Sequence, residues 1–137
     1  KCYDKNNYLE SSGTLGSSCM NSKPSSYFEI YTSNKEVCKI LILKDEDDKI
    51  IGRALVWKLS KTPGPDYFMD RIYCSNDSDM LKFKNYAKEQ GWVMKNKNNS
   101  DIVESLFFNY NGEVFLSHVC VQLDKFDFRY YPFVDTW

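Results

Sequence analysis

Between residues 37 and 92 the apolar and polar positions predict strand, turn, strand, loop, strand and helix, in that order. Residues 37–44 form a β-rich run (Val-Cys-Lys-Ile-Leu-Ile-Leu-Lys), and the acidic stretch 45–48 reads as its turn. Over 49–57 the period is two. Ile51, Arg53, Leu55 and Trp57 fall on one face, and Gly52, Ala54 and Val56 on the other. Gly52 and Ala54 leave room for a close neighbour, and a helix of the same domain is the expected occupant. After a Pro-Gly-Pro loop, 67–73 reads as a third strand. From about Ser78 the spacing becomes helical: Met80, Phe83, Ala87 and Gln90 share one face, widened by Leu81 and Tyr86. Asp77 or Ser78 is the expected cap, Asp79 suits the positive end of the helix dipole, and Gly91 ends the helix after Gln90. Trp92 follows where an apolar residue folds back on the last turn.

The flanks carry weaker patterns. Residues 1–25 are polar and loop-rich, with 11–18 expected to be flexible. Ser26 and Glu29 have the spacing of a capping box, so a short helix bearing Tyr27, Ile30 and Tyr31 is expected to end near Asn34. Beyond a polar loop at 95–100, two β-rich runs (102–110 and 113–122) flank Asn111-Gly112, the strongest short hairpin signal. A last strand is expected at 126–131, before Pro132. These elements predict one α+β domain over 1–137. Its mainly antiparallel sheet has about six strands, with the 78–90 helix on one face. The expected core is Ile40, Ile42, Leu55, Trp57, Ile72, Met80, Phe83, Ala87, Phe107 and Val119.

Composition narrows the classes. At 137 residues with 42% hydrophobic content the chain can bury a real core, and ten Tyr and nine Phe make it rich in aromatics. A net charge of −1 provides no field for nucleic acid or an anionic membrane. The longest apolar run, 40–43, cannot span a bilayer. Residues 1–7 have no apolar leader segment, and the missing initiator Met and the abrupt end at Trp137 suggest a processed chain or part of a longer one. Cys38, Cys74 and Cys120 fall in expected strands. Together with Cys2 and Cys19 they make an odd set without CxxC spacing, which favours reduced thiols in an intracellular setting. His118 and Cys120 are the one closely spaced Cys/His pair, and without a second neither zinc nor another cofactor is expected.

One enzymatic reading rests on Cys19, which follows a Gly/Ser-rich loop where a helix start would lower a thiol pKa. His118, the single histidine, is followed by Asp124, Asp127 and Asp135. Cys19, His118 and Asp135 would then be nucleophile, base and orienting carboxylate of a thiol hydrolase or transferase, in the chain order of papain-like and transglutaminase-like enzymes. The candidate binding residues are Tyr27, Tyr31, Arg53, Arg71, Tyr130, Tyr131 and Trp137. Asp70 and Arg71 alternate faces of a strand, and one of them is expected in a buried or edge ion pair rather than in catalysis. The 45–48 carboxylates are expected to be a solvated turn, and the 126–133 aromatic run a core and interface strand rather than a base-stacking platform.

Two resemblances add to this. The order hairpin, strand, helix ending in Gly91, then further strand resembles the core of the Gcn5-related acetyltransferases, in which a Gln/Arg-x-x-Gly-x-Gly/Ala turn cradles the pyrophosphate of acetyl-CoA. Arg71 matches the first position of that turn. Cys74 and Asn76 replace its glycines, which implies at most a degenerate acetyltransferase-like domain. The second resemblance covers most of the chain. Ser12-Gly-Thr-Leu-Gly-Ser-Ser-Cys-Met20, Tyr27-Phe-Glu-Ile-Tyr-Thr32, Gly52-Arg-Ala-Leu-Val-Trp57, Phe68-Met-Asp-Arg-Ile-Tyr73 and Tyr131-Pro-Phe-Val-Asp-Thr136 resemble segments of an uncharacterised family of tailed-bacteriophage proteins. Asn21 stands where those proteins usually carry Arg. The likeness implies a viral protein working in the cytoplasm of a bacterial host. It assigns no activity. The expectation is therefore a non-enzymatic module that engages a host or viral protein, one role being to counter host defence.

Overall fold

The computed structural model describes residues 5–8, 10–18, 21, 25–60, 64–98 and 107–129. Six strands lie in chain order across one sheet: β1 (Cys38–Lys44), β2 (Ile50–Lys58), β3 (Tyr67–Cys74), β4 (Val93–Lys95), β5 (Phe107–Tyr110) and β6 (Glu113–Leu116). All neighbours pair antiparallel except β3 and β4, which are parallel. Among the described residues, three α-helices accompany them: α1 (Gly13–Gly16), α2 (Glu29–Thr32) and α3 (Met80–Glu89). The expected α+β fold, with α3 on one face of the sheet, is the observed one.

The β1–β2 turn forms because Asp45 Oδ1 accepts from the amides of Asp47 (3.0 Å) and Lys49 (2.9 Å). Asp48 takes φ 64°, which a short polar side chain tolerates. The alternation in β2 then decides both layers. Gly52, Ala54 and Val56 face α3, whose Phe83 and Ala87 pack with Met69, Ile72, Cys74 and Met94. A Cβ at Gly52 would lie 2.8 Å from the Phe83 ring, so the close approach needs glycine there. Helix α3 ends as expected. Gly91 takes φ 69°, its amide bonds to Lys88 O, and the Trp92 amide bonds to Ala87 O. The Trp92 ring folds back edge-on to Tyr86, 5.5 Å between centroids. The start of the helix differs. A 3-10 turn (Asp77–Asp79) precedes Met80 without a side-chain cap bond, and the buried Asp79 carboxylate instead pairs with Lys82 Nζ at 2.7 Å.

The opposite face carries Trp57, Phe68, Val93 and Phe108 beneath Phe28, Ile30 and Tyr31. The capping box is not used there. A 3-10 turn (Ser25–Phe28) runs into α2, and Phe28 stands at the N-cap with no side-chain bond. Of the expected core, Trp57, Ile72, Phe83 and Ala87 are buried; Ile40, Ile42, Leu55, Met80, Phe107 and Val119 are half-buried. At β5 the interior position belongs to Phe108, one residue out of phase with the expectation.

Strand β4 lies where the sequence suggests only the approach to a loop. It pairs with β3 at two positions, Phe68↔Val93 and Met69↔Met94. There β3 bulges: Ala54 faces Ile72 and Val56 faces Met69, so Asp70 and Arg71 together oppose Leu55. Past the bulge the Asn98 side chain replaces a strand, accepting from Ile72 N (2.7 Å) and donating to Ile72 O (2.8 Å). The Asn111-Gly112 hairpin forms with both residues at positive φ. Its second strand ends at Leu116, short of the expected 122, and 99–106, which holds the start of the first expected run, lies outside the described residues. No strand occupies 117–129, so His118, Cys120 and 126–129 are not in the strands expected for them. Side chains hold this segment instead. Asn34 bonds both backbone groups of Lys125, and Ser60 donates to Cys120 O.

Candidate functional site

The most polar interior region lies on the α2 side of the sheet, around Arg53. The row Ile51, Arg53, Leu55, Trp57 sends this guanidinium inward, where it is only 4% exposed. Its Cζ lies between two rings, 4.9 Å from the Tyr8 centroid and 5.0 Å from that of Tyr73, and its Nη2 donates to Ser18 Oγ at 2.9 Å. Arg71, on the bulge, lies over the same Tyr73 ring at 5.4 Å. Each ring contact is worth about 0.5–2 kcal/mol. Tyr31 stands near enough to feel the charges of Asp70 and Arg53. Two of the expected binding residues, Arg53 and Arg71, thus meet over one ring, whereas Tyr31 packs edge-on to Trp57 in the neighbouring apolar core and Tyr27 is half-buried.

The Gly/Ser-rich stretch is what encloses this cluster, and it is folded rather than flexible. Helix α1 is pressed onto the end of β3: a Cβ on Gly13 would lie 2.4 Å from Ser75 O and 2.6 Å from Cys74 O. Gly13 also takes φ 60°. Thr14 Oγ1 donates to Cys74 O (3.1 Å) and accepts from Cys74 N (2.9 Å), standing in for a neighbouring strand. Asn21 Nδ2 closes the end of α1 through Leu15 O and Gly16 O. Arg53 and Ser18 then tie the stretch to mid-sheet. Sequence reasoning missed this link. Its signal was a charged residue in the apolar row of β2, where an arginine needs partners to be buried.

The perturbed groups here are held in their unreactive forms. Burial, followed by the charges of Cys38 and Asp70, pushes the Tyr31 hydroxyl far above its ordinary range, so it stays neutral. Burial, then Asp79 and Asp77, pushes the Cys74 thiol up to about 11, away from the thiolate that reacts. The β3–α3 junction, where an acetyltransferase-like turn would sit, presents the Asp77 and Asp79 carboxylates and is packed by α1. His118 is exposed, and its carbonyl accepts weakly from Ser117 Oγ at 3.4 Å. Cys19, Asp135, Tyr130, Tyr131 and Trp137 lie outside the described residues. Among the described residues no group of His, Cys, Asp or Glu is placed to hold a metal ion, and no helix is long and apolar enough to cross a membrane.

Apolar side chains reach the surface at the far end of the sheet. On strand β6, Val114 (52% exposed) and Leu116 (65%) share one face, and Phe115 (38%) turns to the other, 6.1 Å from the Phe108 ring. No protein-family model, curated protein or solved structure matches this chain.

Proposed function

We propose that the chain is a virus-encoded, non-enzymatic binding module that engages a host or viral protein in the bacterial cytoplasm. The observation that carries this reading is the β6 surface. Apolar side chains are exposed on both faces of this strand, Val114 and Leu116 on one and Phe115 on the other, and among the described residues its outer side is the edge of the sheet. Exposed apolar side chains along a sheet edge mark interaction surfaces, and aromatic residues anchor them. Among the described residues, the Tyr31 hydroxyl and the Cys74 thiol are both held neutral, so neither is an activated nucleophile. The test is capture from a bacterial lysate by the wild-type chain and by the triple variant Val114→Ser, Phe115→Ser, Leu116→Ser. A partner held by the wild type and lost by the folded variant supports the proposal. Equal capture by both removes β6 as the surface, and turnover of an acyl or peptide substrate would end the non-enzymatic reading.

A further inference from the structure

The opposite edge of the sheet, β1, has a different character from β6. It is seven residues long, and no described residue pairs with its outer side. Lys58 donates to Val37 O at 2.8 Å, which sets the phase of the β1–β2 ladder. Lys39, Leu41 and Leu43 therefore turn their peptide groups to β2, and Ile40 and Ile42 turn theirs outward. Beside this edge, on the α3 face, runs an open and mainly apolar groove of about 340 Å³ lined by Leu41, Leu43, Phe83 and Tyr86, with Lys82 at its rim.

We infer that β1 is a self-association edge: two copies of this chain pair antiparallel through β1 about a two-fold axis, joining their sheets. The phase of the peptide groups fits this arrangement. Centring the axis on Leu41 sets Ile40 of one copy against Ile42 of the other, so the outward amides and carbonyls meet in hydrogen-bonded pairs. Leu41 and Leu43 of each copy then extend the apolar floor beside the other's groove.

Charge along the edge selects both the occupant and its direction. The start of β1 carries exposed Lys35 and Lys39, with Glu36 between them. Its far end is the 45–48 turn, with four carboxylates beside Lys44 and Lys49. Antiparallel pairing brings each lysine-bearing start beside the other copy's acidic turn. Parallel pairing would set four carboxylates against four, a like-charge arrangement that disfavours it. The surface is thus complementary to itself in one orientation. This inference is independent of the β6 surface proposed above.

Sedimentation equilibrium of the full chain across the micromolar range tests it, and the expected species is a dimer that weakens with added salt. Ile42→Pro removes an amide that makes no bond to β2, so the β1–β2 ladder keeps its backbone bonds. Losing two intermolecular backbone bonds per dimer should raise the dissociation constant about thirtyfold. Lys39→Glu, a surface change that leaves the backbone alone, should raise it about tenfold. A chain that sediments as a monomer throughout overturns the inference, and so does a dimer equally tight in both variants. If Ile42→Pro fails to fold, the Lys39→Glu result decides: an unchanged dissociation constant overturns the proposal.

Discussion

The two faces of the sheet are covered by opposite means. On one face a single helix, α3, packs Phe83 and Ala87 onto Gly52, Ala54 and Val56, and the contact is almost wholly apolar. On the other, several short pieces of chain are fastened by polar side chains. Thr14 bonds Cys74, Arg53 bonds Ser18, and Asn34 bonds Lys125 across 91 positions of sequence. The first face is specified by shape and the second by hydrogen bonds. A helix satisfies its own backbone and needs only a matching surface, whereas one-turn segments leave amides and carbonyls that side chains must answer.

The harshest test falls on the shape-specified face. Gly52→Val places new atoms where a Cβ already lies 2.8 Å from the Phe83 ring and 3.1 Å from Cys74 Sγ. Both neighbours are buried, so the strain has no easy outlet, and the expected loss is about 3 kcal/mol. Adding Phe83→Leu should return part of it, because the conflict is with that ring. Urea denaturation of the two single variants and the double variant gives the coupling. Strict additivity would show that Gly52 matters for some reason other than this contact.

The same division explains what the sequence disclosed. The helix-covered face announces itself locally: small residues alternate in β2, an apolar stripe runs along 80–87, and Gly91-Trp92 stops the helix. The Asn111-Gly112 hairpin is equally local. Strand β4 is not, since three residues cannot display a period and its parallel partner lies a whole helix away. Phe107 and Phe108 offer identical side chains to either phase, so only tertiary packing decides which is interior. The capping box at Ser26 was a sound local signal overridden by a 3-10 start. For the candidate site, aromatic and basic residue types pointed to Arg53 and Arg71, which do meet over Tyr73, and to Tyr31, which packs on Trp57 nearby. Thr14, Ser18 and Asn98 were invisible because each answers a partner at least 26 positions distant.

On the face specified by hydrogen bonds, volume should matter less than polarity. Asn34 is fully buried and makes three bonds, to Ile30 O, Lys125 O and Lys125 N. Asn34→Leu keeps the bulk and deletes every bond, leaving polar backbone groups without their partner. A loss of about 2 kcal/mol is expected, and Asn34→Ala should cost nearly the same. Thermal denaturation of the two variants separates the explanations. If leucine restores most of what alanine loses, filling is what counts here, and the contrast between the faces fails.

The smallest effect expected depends on pH and sharpens the view of the helix-covered face as dry. Cys74 is fully buried under α3, and its thiol pKa is raised from 9.0 to about 11 by burial first and by Asp79 and Asp77 next. A group whose pKa is raised on folding stabilises the protein below its unfolded value and loses that contribution as pH climbs towards its folded value. Stability should therefore hold up to about pH 9 and decline between 9 and 11, as the unfolded chain releases a proton that the folded chain retains. One unit into that window the Cys74 share is about 1 kcal/mol. Tyr31 shifts in the same direction, so the wild-type decline contains both. Cys74→Ala isolates the thiol. Its stability relative to wild type, measured by urea midpoints under reducing conditions, should improve by that amount between pH 8 and pH 10. A constant difference across the two pH values would mean that the thiol ionises as readily in the folded chain as in the unfolded one, and that the region beneath α3 is wet.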